Sequence, residues 1–127
     1  MMRTSLDFYE FRQSRLGENT MNHTEFLFKN EELTAALSAD IDHHSAATIR
    51  EEIDRELYRC RPKKLRLDVS RVNFMDSSGL GLILGRYTKA EEIGCSFVLS
   101  NPSAQIEKIL RLAGTDRVIS IERGSAE

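Results

Sequence analysis

The chain has 127 residues, the length of one domain, and its 18 basic and 20 acidic side chains leave a formal charge of −2. Without a basic excess it does not read as a general nucleic-acid or membrane-surface binder. No apolar run reaches the roughly 20 residues that span a bilayer, and Asp7, Glu10 and Arg12 interrupt any signal-peptide core.

In chain order, residues 1–22 read as an arm outside the core, helical or flexible, that the domain over 23–127 can do without. Glu25–Lys29 and Leu33–Leu37 are predicted strands joined by a short turn, hence a hairpin. A polar loop, Ser38 to Ser45, follows. From about Ala46 the apolar residues Ile49, Ile53, Leu57 and Cys60 recur at helical spacing, and Pro62 ends that helix. Leu65, Leu67 and Val69 alternate as a third strand. A second helix carries Leu80, Ile83, Leu84, Tyr87 and Ala90, and Gly94 closes it. Cys95–Ser100 is a fourth strand. Asn101 and Pro102 read as the cap and first residue of a third helix, stopped by Gly114, and Val118 to Ile121 as a fifth strand. The pattern is α/β: a mostly parallel sheet of about five strands with an N-terminal hairpin and three to four helices. Cys60 and Cys95 lack metal-type spacing and read as packing residues in a reduced, cytoplasmic protein.

The most informative stretch joins the third strand to the second helix: Phe74-Met75-Asp76-Ser77-Ser78-Gly79-Leu80-Gly81. It reads as a tight polar turn with two hydroxyls beside a carboxylate. It lies at a helix N-terminus, where unpaired amides and the dipole favour negative charge. Such a place suits a serine that carries phosphate. Ser77 could equally be a plain N-cap. Gly79, Gly81 and Gly85 each cost roughly 1 kcal/mol in a helix relative to alanine, which implies a close approach by the sheet or by a partner. If strands two and three are parallel neighbours, the Asp40-Ile41-Asp42-His43-His44 loop lies at the same edge of the sheet. That loop reads as a cap, through Asp42 or Ser45, and not as a metal site. A hydrolase triad is disfavoured because no Gly-x-Ser-x-Gly elbow is present.

Taken together, Ala39 to His44, the Met75-Asp76-Ser77-Ser78-Gly79 run and Gly85-Arg86-Tyr87 resemble the anti-sigma factor antagonists of spore-forming bacteria, which are stand-alone STAS domains. The likeness is strongest to the antagonists of the sporulation sigma-F pathway and covers roughly residues 24–122. The resemblance implies a regulatory protein without catalytic residues, cofactor or metal of its own. It implies that the unphosphorylated form binds an anti-sigma factor that is also a serine kinase, so that a sigma factor is freed. The kinase, with its own ATP and magnesium, phosphorylates Ser77, and a PP2C-type phosphatase reverses this. By the same resemblance the partner surface comprises Asp40, Asp42, His43, Asp76, Ser77, Ser78, Gly79, Leu80 and Gly81. No nucleic acid or membrane partner is expected, and the protein alone is expected to be a monomer. A STAS module of another stress or phosphatase–kinase cascade is the alternative.

Overall fold

The computed structural model describes residues 24–38 and 40–124; the arm over residues 1–22 and the loop position Ala39 lie outside them. The strands β1 (Thr24–Lys29), β2 (Glu32–Leu37), β3 (Lys64–Asp68), β4 (Ser96–Ser100) and β5 (Ser120–Glu122) form one sheet in the order β1-β2-β3-β4-β5. β1 and β2 are antiparallel, and every later neighbouring pair is parallel. The helices are α1 (His43–Cys60), α2 (Ser77–Glu92) and α3 (Ala104–Leu112), with a 3-10 turn at Thr115–Arg117. The α/β pattern read from the sequence is therefore the observed one.

Local chemistry accounts for these elements. The hairpin turn places Asn30 and Glu31 at φ 54° and 65°, and two left-handed residues match the twist of the flanking strands. Parallel pairing sets Leu33 beside Leu65 and Leu65 beside Phe97 in one row, and Ala35 beside Leu67 and Leu67 beside Leu99 in the next. These rows are buried against Ile49, Ile53 and Leu57 of α1 and Leu82, Ile83 and Ala90 of α2. Each large aliphatic side chain buried there contributes about 1.5–3 kcal/mol. α1 starts at His43, earlier than Ala46, because Asp42 and Ser45 form a reciprocal capping box: the Ser45 amide donates to Asp42 Oδ1 at 2.8 Å and the Asp42 amide to Ser45 Oγ at 3.1 Å.

On the other face of the sheet, Arg66 donates to Glu32 at 2.7 Å and also to Glu122, which in turn accepts from Lys64 at 3.4 Å. The hydrogen bond from Arg66, opposed by burial, holds the Glu122 carboxyl below its ordinary range. A depressed folded-state pKa stabilises the fold above the unfolded value, and that stability is lost as pH falls through the folded one. Glu122→Gln is therefore expected to flatten the acid limb of a thermal-melt series below about pH 4. Parallel acid losses in the two proteins would show that the pair does not contribute.

Two expected boundaries are corrected. Asn101 does not cap α3, and Pro102 is not its first residue. Asn101 sits at φ 56°, donates its amide to the Glu122 carbonyl at 2.8 Å and accepts the Gly124 amide at 2.9 Å. It ties the end of β4 to the end of β5, and Ser103 caps the helix instead, accepting the Ile106 amide at 3.1 Å. Val118 and Ile119 do not belong to β5, because their amides turn back to the Thr115 carbonyl, each at 3.0 Å. Among the described residues no helix is long and apolar enough to cross a membrane.

Candidate functional site

The link from β3 to α2, residues 69–76, is longer than the tight turn expected. It runs back along the loop after β2, and that contact fixes its shape. The Asn73 and Phe74 amides donate to Asp40 Oδ1 at 2.7 and 3.1 Å. The Ile41 amide donates to the Phe74 carbonyl at 3.4 Å, and Ile41 and Met75 form an isolated parallel bridge. Ile41 and Met75 are both buried. The two loops expected at one edge are thus joined there, beyond the carboxyl ends of β2 and β3. The Asp40 carboxylate faces backbone amides, so Asp40 is first a clamp on the serine loop and only secondarily a rim charge.

Asp76 is the N-cap of α2. Its Oδ1 accepts the Ser78 and Gly79 amides at 2.8 and 3.4 Å. Ser77 is therefore the first residue inside the helix and not its cap. Its side chain is exposed, and its hydroxyl has no hydrogen-bond partner among the described residues. The cap carboxylate also takes two of the amides that an unoccupied helix start would offer an anion. A charge placed on Ser77 would meet the helix dipole and the Asp76 carboxylate together.

The three glycines divide by environment. A Cβ on Gly79 would stand 2.6 Å from Met75 Cβ and 3.2 Å from Ile41 Cβ, so only glycine lets the first turn of α2 rest on the bridge between the loops. Gly81 and Gly85 would meet nothing within 4 Å. Leu80 is half-buried at the edge of the core, and Gly81 is exposed. Asp42 and His43 are exposed at the start of α1. The backbone hydrogen bond from Ser45 holds the Asp42 carboxyl below its ordinary range. The structure thus brings the Asp40 loop and the Asp76-to-Gly81 turn to one end of the domain.

Four nearby residues were assigned no role from the sequence, although Phe74 and Arg86 stand within the runs that carry the resemblance. Phe74 is 51% exposed beside the serine turn, a large apolar surface next to the proposed switch. Arg86 is buried, and its Nη1 donates to Asp54 Oδ1 at 2.6 Å. Arg50 faces the same space. A signal existed for Arg86: it recurs with Leu82, Ile83 and Ala90 at helical spacing, which places it on the buried face of α2.

A family profile described as STAS domain matches residues 26–127. The anti-sigma F factor antagonist of Paenibacillus polymyxa is 30% identical over 89 residues, covering 70% of this chain and 76% of that protein. The anti-sigma factor antagonist SpoIIAA in its unphosphorylated form superposes with a TM-score of 0.70 at 26% identity, over 80% of this chain and 88% of that one. The Bacillus cell fate determinant SpoIIAA in the phosphorylated form gives a TM-score of 0.65 at 26% identity, over 80% and 91% of the two chains.

Proposed function

The chain belongs to the STAS domain family, and on that footing we propose that it is an anti-sigma factor antagonist switched by phosphorylation of Ser77. Unphosphorylated, it binds an anti-sigma factor serine kinase, and the sigma factor is freed. Phosphorylated, it releases that partner until a PP2C-type phosphatase removes the phosphate. The observation that carries this reading is Ser77 itself: an exposed hydroxyl on the first turn of α2, relieved of capping by Asp76. A group that receives phosphate needs access and a rigid frame, and Asp40, Ile41 and Gly79 supply the frame. The resemblance of the Asp76-Ser77-Ser78-Gly79 run to the family's phosphorylated motif supports Ser77 over Ser78.

Asp42, His43, Asp76, Ser78, Leu80 and Gly81 would contact the partner, with Phe74 as an apolar anchor. Aromatic side chains that are exposed in the free protein and buried in a complex often carry much of the binding energy. Phosphate adds nearly two negative charges at the centre of this surface. Docking would then have to desolvate that charge beside Asp76.

Incubation with candidate anti-sigma kinases and ATP, followed by mass spectrometry of the peptides, tests the assignment. The expected product carries one phosphate, on Ser77, and Ser77→Ala carries none. Modification confined to Ser78, or its absence with every kinase that binds the protein, would overturn it.

A further inference from the structure

β1 is one edge of the sheet, and among the described residues no strand lies beyond it. An open edge offers a row of main-chain donors and acceptors to any strand that approaches. Proteins that stay single blunt such edges with proline, a bulge or a charge within the strand. β1 has no proline, pairs with β2 in unbroken register, and is apolar at its centre, Phe26-Leu27-Phe28.

Its charges stand toward the ends, and they are opposite in sign. Alternation along the strand puts Phe26 into the core and sets Glu25, Leu27 and Lys29 on the other face, where all three are exposed. Neither Glu25 nor Lys29 has an ion pair among the described residues. A second copy of the strand, laid antiparallel and centred on Leu27, sets Glu25 opposite the partner's Lys29, Phe26 opposite the partner's Phe28, and Leu27 opposite the partner's Leu27. Both end pairs then attract, and opposite charges facing each other across a sheet stabilise it. The register is specific. A slip of two residues sets Glu25 or Lys29 against the partner's Leu27, and a slip of four sets like charges face to face.

We propose that β1 is a self-association surface, through which two copies of this chain pair antiparallel about Leu27 and join their sheets into one. A two-fold axis normal to the sheet keeps the helices of both copies on one face. It sends the two serine turns to opposite ends, so both Ser77 hydroxyls stay exposed and the pairing does not rest on phosphorylation. One short strand from each copy makes a small interface, so the association is weak and the chain is a monomer at high dilution.

Sedimentation velocity of the full chain, from micromolar to millimolar concentration, tests this. The wild type is expected to move toward the mass of a dimer as concentration rises, and less so as sodium chloride is added, because salt screens the exposed pairs. Glu25→Lys and Lys29→Glu each turn two attractive pairs into two repulsive ones, and each alone should associate at least tenfold more weakly. An equimolar mixture of the two variants restores opposite charges at both ends, and should associate as the wild type does. That rescue separates pairing between copies from any loss of stability within a chain, such as Lys29→Glu facing Glu32 on β2. A wild type that stays monomeric throughout would overturn the proposal and leave the edge to the arm over residues 1–22. Association that salt strengthens, that both single variants retain, or that the mixture fails to restore would overturn it as well.

Discussion

Ser77→Asp is expected to bind the partner kinase at least tenfold more weakly than Ser77→Ala, which should hold it persistently; tenfold is about 1.4 kcal/mol. The argument rests on position. Ser77 lies exposed at the centre of the proposed docking surface, on a turn held in place by Asp40 and by the Ile41–Met75 bridge. Aspartate adds a charge that the complex must desolvate beside Asp76, and an unpaired charge buried in an interface costs several kcal/mol. It carries less charge than a phosphate, so the true phosphoprotein should bind more weakly still. The fold itself should change little. The α2 dipole favours a carboxylate in its first turn, and repulsion from Asp76 offsets that by a similar amount, about 0.5 kcal/mol. Calorimetric titration with the kinase, alongside thermal melts of each variant, separates the two effects. Equal affinities of the two variants, with equal melting points, would remove the electrostatic switch.

Asp54→Ala is expected to destabilise the domain by about 3 kcal/mol, a large fraction of a small domain's stability. Arg86 is far more buried than its partner, with 7% of its side chain exposed against 27% for Asp54. Without Asp54 the guanidinium would keep its burial and its repulsion from Arg50 and lose its one close counter-charge among the described residues. Arg86→Met in the Asp54→Ala background should recover most of the loss, because a flexible apolar side chain can fill the same space. Urea denaturation of the wild type, both single variants and the double variant closes the cycle. A cost below about 1 kcal/mol for Asp54→Ala would mean that the pair behaves as a surface contact.

Strand alternation and helix periodicity were legible because each is a local pattern. Leu65 and Leu67 announce their face of β3 without knowledge of any partner, and so do Ile49 and Ile53 on α1. Capping at Asp42 was legible for the same reason. Asn101 misled because its cap-like chemistry serves a distant amide, that of Gly124, which no local window contains. Arg86 was noted only as part of the Gly85-Arg86-Tyr87 run, and its burial went unread because a buried cation makes sense only with Asp54, which lies on another helix. The candidate phosphoacceptor was visible as a motif, but the division of labour between Asp76 as cap and Ser77 as free hydroxyl was not. It depends on which residue takes the extended backbone before the helix, and Asp76 does so at φ −102°.

The clamp from Asp40 onto the Asn73 and Phe74 amides has a further consequence for recognition. The surface around Ser77 is assembled from segments more than thirty residues apart in sequence. A peptide spanning only residues 68–87 would contain every letter of the motif but neither Asp40 nor Ile41. An enzyme that modified Ser77 in the folded domain would therefore read a conformational epitope, and the short peptide is expected to be a poor substrate for it. A chain still unfolded, or one that has lost its β2 loop, would withhold the epitope, so the proposed switch would report on a finished protein.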